Sequence, residues 1–196
     1  LIEKAGKQLG MPVGPLAVSD EVSIELGYKV MTAAKKELGD TYVVQRSDDV
    51  MTQMVERDRL GRKNGKGWYD YPEGGTKLLW SGIADLFPRA DDQPDVEAVK
   101  ERLLYRQLIE CARCYEEGVL ETPEDGDIGA IFGWGFAPYT GGPFAHMDTV
   151  GIAHVVAVLD RLRAAHGDRF AATEQLRAMA ATGATFYQSV PDRAAA

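Results

Sequence analysis

Gly14-Pro15-Leu16-Ala17-Val18-Ser19-Asp20-Glu21-Val22-Ser23-Ile24 returns 128 residues later as Gly142-Pro143-Phe144-Ala145-His146-Met147-Asp148-Thr149-Val150-Gly151-Ile152. Gly, Pro, Ala, Asp, Val and Ile coincide, six identities in eleven, and further on Val30 falls on Val158. Each copy reads as a loop, a Gly-Pro turn, an Asp near a helix start and then an amphipathic helix. Two copies of one helical unit account for 196 residues better than a single bundle does.

Outward from this repeat the apolar spacing stays helical. Val22, Leu26, Val30 and Ala33 step by four, four and three, which predicts one buried face on a helix opened by Ser19, with Asp20 and Glu21 in its first turn. Glu25 and Lys29 form a favourable pair on its wet side, and Leu38-Gly39-Asp40 stops it. A shorter helix is expected over 48–58, with Val50, Met51, Met54 and Val55 apolar. The glycines of Arg59-Leu60-Gly61-Arg62-Lys63-Asn64-Gly65-Lys66-Gly67-Trp68-Tyr69-Asp70-Tyr71 make that stretch a loop. Residues 72–94 read as a connector with one short amphipathic piece, Leu78 to Phe87.

The longest helix is predicted from Asp95 to Gly118, with Leu104, Leu108, Cys111 and Tyr115 on its apolar side. Thr122-Pro123-Glu124-Asp125 supplies a cap, an N-terminal proline and two acids for the next helix. Residues 132–143 are expected to be an irregular loop. A helix over 150–165 buries Ile152, Val155, Val156, Leu159 and Leu162, and a last one spans 173–181. No segment alternates in the manner of a strand, so the chain is read as all-α.

Composition narrows the function. With 45% hydrophobic and 27% charged residues the chain has the makeup of a globular domain, not of a disordered or collagen-like one. A formal net charge of −8 argues against nucleic acid or an anionic membrane as the main partner. No apolar run approaches the roughly 20 residues of a membrane span. Cys111 and Cys114 read as small core residues of a reducing compartment. His146, His154 and His166 show no metal spacing and read as surface or turn positions; no metal site is expected. Gly133-x-Gly135-x-x-Pro138 fails the dinucleotide pattern, and Gly61-x-x-x-Gly65-Lys66-Gly67 fails the phosphate-loop pattern. The chain opens on Leu1 without Met and without a signal peptide, which suggests a piece of a longer protein.

Three stretches carry a family resemblance. Residues 10–22, Gly-Met-Pro-Val-Gly-Pro-Leu-Ala-Val-Ser-Asp-Glu-Val, resemble the helical C-terminal domain of 3-hydroxyacyl-CoA dehydrogenases. Residues 61–71, Gly-Arg-Lys-Asn-Gly-Lys-Gly-Trp-Tyr-Asp-Tyr, are similar to the loop that closes that domain. Residues 125–136 with Gly141-Gly142-Pro143-Phe144 resemble a second helical copy, the mark of the multifunctional α subunit of bacterial fatty-acid β-oxidation complexes. The resemblance implies two tandem all-α domains of the 6-phosphogluconate dehydrogenase C-terminal type. The first is an N-terminally truncated copy at 1–88, and the second a degenerate copy at 89–190.

The implied chemistry is NAD-dependent oxidation of a 3-hydroxyacyl-CoA, alongside an enoyl-CoA hydratase domain. The implied His–Glu pair belongs to a Rossmann domain outside this sequence. The family's catalytic Asn, at the start of a long helix in an Asn-Arg-Leu-Leu run, falls upstream of Leu1. In the second copy the matching run is Glu101-Arg102-Leu103-Leu104, and a carboxylate there cannot donate the amide hydrogen bond. No catalytic residue and no bound NAD is therefore expected in this chain. The resemblance places Met11, Pro12, Val13, Gly14 and Pro15 at the substrate cleft; by their charge and nearby backbone N–H groups, Arg62, Lys63 and Lys66 are expected to attract CoA phosphates. Implied partners are the Rossmann and hydratase domains of the same polypeptide and a thiolase subunit, in the cytoplasm. Self-association is expected near residues 9–16, where Leu9, Met11, Val13 and Leu16 would lose cover. The rival readings are a free-standing dimerisation or subunit-docking module and a small acyl-CoA binding protein.

Overall fold

The computed structural model describes residues 1–187, so the last three positions of the expected 89–190 copy lie outside the described residues. The described chain is helical: α1 (Ile2–Gln8), α2 (Pro15–Val22), α3 (Ile24–Leu38), α4 (Arg46–Glu56), α5 (Ile83–Leu86), α6 (Val96–Glu116), α7 (Pro123–Trp134), α8 (Pro143–Val150), α9 (Ile152–His166) and α10 (Glu174–Thr182). An antiparallel hairpin pairs β1 (Tyr69–Asp70) with β2 (Leu78–Leu79). The sequence pattern missed it, because two-residue strands are too short to show alternation. The connector 72–94 thus begins as a turn, continues into β2 and only then carries the short helix α5.

The chain falls into two compact units. One comprises Leu1–Lys4 and Val13–Pro94; the other comprises Ala5–Pro12 and the chain from Asp95 onward.

In the first unit, the single helix expected from Ser19 is two. Gly14 is the N-cap of α2, Pro15 takes its first position, and Ser19 lies inside it. The chain then breaks at Ser23, whose φ is 92°, and α3 starts at Ile24 with the Ser23 hydroxyl accepting from Leu26 N. The break changes the buried face. Ile24 and Met31 are buried, whereas Val22, Leu26 and Val30 are 60%, 50% and 61% exposed and Ala33 is exposed as well. The Glu25–Lys29 pair (2.5 Å) and the stop at Gly39 are as predicted. Helix α4 packs on α3 and buries Met54.

The second unit holds the larger core. Helix α6 starts on Asp95, whose carboxylate accepts from Ala98 N (2.7 Å), and buries Val99, Tyr105, Leu108, Ile109, Cys111 and Ala112. Thr122 caps α7 by accepting from Asp125 N. Helix α7 runs to Trp134, overriding the loop expected from residue 132, and ends on left-handed Gly135. Helix α9 buries Ile152, Val155, Val158, Leu159 and Leu162, so Val158 takes the fully buried place expected of Val156. Thr173 caps α10.

The 128-residue shift holds element by element. It carries α3 onto α9 from first residue to last equivalent, the positive-φ break at Ser23 (φ 92°, ψ 120°) onto Gly151 (φ 89°, ψ 127°), and Gln45 onto Thr173 before the closing helix.

Candidate functional site

Each unit is closed by two carboxylates and a returning aromatic pair. In the first, the Glu3 carboxylate accepts from the backbone N–H of Leu16 (2.5 Å) and Ala17 (3.3 Å), at the positive end of α2. Gly14 makes this approach possible, since a Cβ there would meet Glu3 Oε2 at 2.1 Å. Asp20, fully buried on α2, accepts from Trp68 N (2.8 Å), Tyr69 N (3.0 Å) and the Tyr71 hydroxyl (2.9 Å). The Trp68 indole donates to Ser19 Oγ (3.1 Å). Burial, with Glu3 and then Asp20 beside it, pushes the Tyr69 phenol up to about 12. Burial and the hydrogen bond to Asp20 also raise Tyr71. Both phenols are therefore neutral donors.

The second unit repeats the arrangement. Asp127 accepts from Phe144 N (2.7 Å) and Ala145 N (3.0 Å), and a Cβ on Gly142 would meet it at 2.4 Å. Asp148 accepts from Phe186 N and Tyr187 N (both 2.9 Å), and the Tyr187 hydroxyl donates to Asp127 Oδ2 (2.7 Å). Glu3 and Asp20 were not singled out as the closing carboxylates by sequence pattern. The available signal was the repeat itself, which lays Asp20 on Asp148 and Gly14 on Gly142.

The two returns differ. Asp20 and Trp68 are 48 residues apart, Asp148 and Phe186 only 38. Two of the extra ten residues lengthen α4 and the other eight fall between α4 and Trp68, a stretch that carries Arg57, Arg59, Arg62, Lys63 and Lys66. Arg59 is buried: its Nε donates to Gly67 O (2.6 Å), its guanidinium pairs with Asp70 (2.6 Å), and it lies 4.1 Å from the centre of the Trp80 ring. Gly61 and Gly67 let the loop lie against α2, where a Cβ would come within 2.7 Å of Asp20 O and 2.0 Å of Asp20 Oδ1. Of the three cations expected to face an anion, Arg62 is held by Glu21 (2.5 Å). Lys63 and Lys66 are exposed and in no ion pair among the described residues.

The expected cleft residues separate. Val13, Gly14 and Pro15 belong to the first unit, where Gly14 is buried and Pro15 opens α2. Met11 and Pro12 belong to the second, where Met11 lines a cavity of about 60 Å³ with Leu104, Gln107, Tyr139 and His146. That space suits about two waters and is far below the roughly 300–1,000 Å³ of pockets for organic ligands. His146 is therefore neither a surface nor a turn residue. It sits half-buried on α8, and burial lowers its pKa. Glu101 on α6 pairs with Arg161 (2.7 Å). Cys111 is buried, which pushes its thiol up to about 12. Gly133 and Gly135 stand at the C-terminal end of α7, where carbonyls disfavour a pyrophosphate, so this stretch does not fit a dinucleotide. Leu9, Met11, Val13 and Leu16 are half-buried; strongly exposed apolar side chains lie elsewhere, among them Val43, Val44, Val119, Phe132 and Tyr139. Among the described residues no His/Cys/Asp/Glu cluster suits a metal, and no helix is long and apolar enough to cross a membrane.

Comparison with known proteins follows the same span as the first closure, which runs from Glu3 to Tyr71. Residues 1–71 match the family described as 3-hydroxyacyl-CoA dehydrogenase, C-terminal domain. The chain is 43% identical over 191 residues to a fatty acid oxidation complex subunit alpha of Shewanella loihica, covering 95% of this chain and 26% of that protein. It is 42% identical over 189 residues to the protein of the same description from Shewanella amazonensis, with the same coverage. The chain thus spans about a quarter of the length of these relatives. Among solved structures it shares its fold with 3-hydroxybutyryl-CoA dehydrogenase from Escherichia coli K12 (TM-score 0.65, 18% identity, 93% of this chain and 54% of that one). A second is the dehydrogenase part of multifunctional enzyme 1 from C. elegans (TM-score 0.59, 19% identity, 90% and 41%).

Proposed function

We propose that this chain, whose residues 1–71 match the family described as 3-hydroxyacyl-CoA dehydrogenase, C-terminal domain, is the helical part of a fatty-acid β-oxidation α subunit that oxidises 3-hydroxyacyl-CoA with NAD. Its first copy (1–88) completes the substrate cleft, and its second, degenerate copy (89–190) is packing scaffold. The observation that carries the proposal is that the matched span and the closed hydrogen-bonded unit from Glu3 to Tyr71 coincide.

The Met11–Pro15 turn borders the cleft. Lys63 and Lys66, on the extra loop that only the first unit has, attract the phosphates of the CoA ester, while Arg62 stays with Glu21. NAD supplies the hydride acceptor, and its seat lies in a dinucleotide domain elsewhere in the polypeptide. What this chain's residues do is hold the Gly14-Pro15 turn and the basic loop rigid through Glu3 and Asp20. A hydratase domain and a thiolase subunit are the proposed partners, and the cytoplasm the proposed location.

The test is NADH formation from a 3-hydroxyacyl-CoA. The chain of residues 1–196 alone gives none above buffer, whereas the longer polypeptide turns over. In that polypeptide, Lys63→Glu with Lys66→Glu raises KM for the CoA ester about fivefold, equivalent to about 1 kcal/mol, at unchanged kcat. Turnover by residues 1–196 would overturn the proposal. An unchanged KM would remove the loop's role.

A further inference from the structure

Asn64 is the only asparagine in the 196 residues, and a glycine follows it. That pair has a chemistry of its own. A side-chain amide is chemically labile, and the next backbone nitrogen attacks it most readily where no Cβ stands in the way. Gly65 N gives its proton to water and bonds to Asn64 Cγ, and the side-chain nitrogen leaves as ammonia. Water then opens the cyclic imide at one carbonyl or the other, leaving aspartate or isoaspartate at position 64. The sequence of steps consumes water and nothing else.

The fold decides when these steps can run. Asn64 is exposed at the end of the 3-10 turn Arg62–Asn64, and Gly65 follows it in the left-handed conformation (φ 77°). Each reacting group is engaged. The attacking nitrogen, Gly65 N, donates to Arg62 O (2.9 Å). The leaving nitrogen, Asn64 Nδ2, donates to Asp58 O (2.9 Å), and Asn64 Oδ1 accepts from Lys66 N (3.3 Å). Gly61 N to Lys66 O (2.8 Å) and Tyr71 N to Gly65 O (3.0 Å) close the loop, and Arg62 ties it to Glu21 of α2. These bonds lie at the surface, so the loop opens at far less cost than the unit unfolds.

The product does not fit the closed loop. A carboxylate at position 64 cannot donate to Asp58 O, and isoaspartate lengthens the backbone of a tight turn by one carbon. The new negative charge also stands between Lys63 and Lys66, which are in no ion pair among the described residues. We propose that Asn64–Gly65 is a modification site gated by this loop. Closed, the loop shields it; open, the site deamidates, and the carboxylate so formed weakens the loop's pull on anions. That last consequence rests on the CoA reading of Lys63 and Lys66, whereas the conversion does not.

Peptide mapping by mass spectrometry in mildly alkaline buffer follows the conversion, and a single asparagine makes the assignment unambiguous. A synthetic peptide of residues 58–70 converts about tenfold faster than the same segment in the folded chain. Glu21→Gln frees Arg62 without touching the core; it speeds conversion in the folded chain about threefold and raises hydrogen exchange at Gly65 N alongside. Equal rates in chain and peptide, or conversion unchanged by Glu21→Gln, overturn the gating. A folded chain that exchanges Gly65 N and never converts overturns the site itself. In the longer polypeptide, Asn64→Asp weakens binding of coenzyme A about twofold. Unchanged binding beside gated conversion overturns the loop's role toward CoA and leaves the modification site standing.

Discussion

Asp20 is buried with three donors aimed at it. Removing the carboxylate leaves two backbone N–H groups and a phenol unsatisfied in a dry site, which costs about 1–3 kcal/mol for each group that water cannot reach. Asp20→Ala is therefore expected to lose about 3 kcal/mol, read as a lower urea midpoint at unchanged slope. A loss under about 1 kcal/mol would mean that water replaces the carboxylate. The phenols set a second expectation. Tyr69 titrates near 12 in the folded unit against about 10 when unfolded, and Tyr71 moves the same way. A group whose folded pKa is raised stabilises fully below its unfolded pKa and loses that contribution as pH rises through the folded one. Cys111, held up to about 12 against about 8.5–9 when unfolded, starts a decline in melting temperature near pH 9, the phenols add theirs from about pH 10 to 12, and Tyr69→Phe should shrink only that second part. A fall above pH 10 that Tyr69→Phe leaves unchanged would assign the loss to another group.

At the scale of elements, the repeat separates backbone conformation from crowding. Gly142 and Gly151 both have positive φ, but a Cβ on Gly151 meets nothing within 4 Å, while one on Gly142 meets Asp127 at 2.4 Å. Gly151→Ala should cost about 1–2 kcal/mol from backbone strain alone. Gly142→Ala should cost clearly more, because it also displaces the carboxylate that holds Phe144 N and Ala145 N. Equal losses in thermal unfolding would refute this division. The same elements show what could be read from sequence. The cap at Thr122 was legible because a cap and its N–H lie within three residues of each other; Asp95 and Thr173, read only as helix starts, turn out to cap in the same way. The stripes of α6 and α9 were legible because both faces are covered within their own unit. The Val22–Leu26–Val30 stripe misled, since periodicity reports that a face is apolar and not what covers it. The Ser23 break carried no local signal, as serine seldom takes a positive φ; only Gly151 in the repeat marked it. In the candidate site the basic loop was legible from its glycines. Its clasp was not, because Asp20 meets its partners 48–51 residues away.

At the scale of the whole chain, one device closes both units with separate residues. Glu3, Asp20 and Trp68–Tyr71 serve the first, and Asp127, Asp148 and Phe186–Tyr187 the second, with no member in common. Contributions from sites without shared partners add to within about 0.3–0.5 kcal/mol, whereas groups in one network couple by about 0.5–3 kcal/mol. Asp148→Ala should unsatisfy Phe186 N and Tyr187 N as Asp20→Ala does Trp68 N and Tyr69 N, costing about 2–3 kcal/mol. The double variant Asp20→Ala/Asp148→Ala should then lose the sum of the two single losses to within about 0.5 kcal/mol. By contrast, Glu3→Ala combined with Asp20→Ala should lose measurably less than their sum. Both carboxylates lean on the same Tyr69, and once one is gone the return strand is already loosened. Hydrogen exchange in the amides of Trp68, Tyr69, Phe186 and Tyr187 reads each clasp by itself and checks both statements. Asp20→Ala should expose the first pair and leave the second protected. If Asp20→Ala also opens Phe186 and Tyr187, the two closures are a single network, and the duplication has kept the form of the device without its independence.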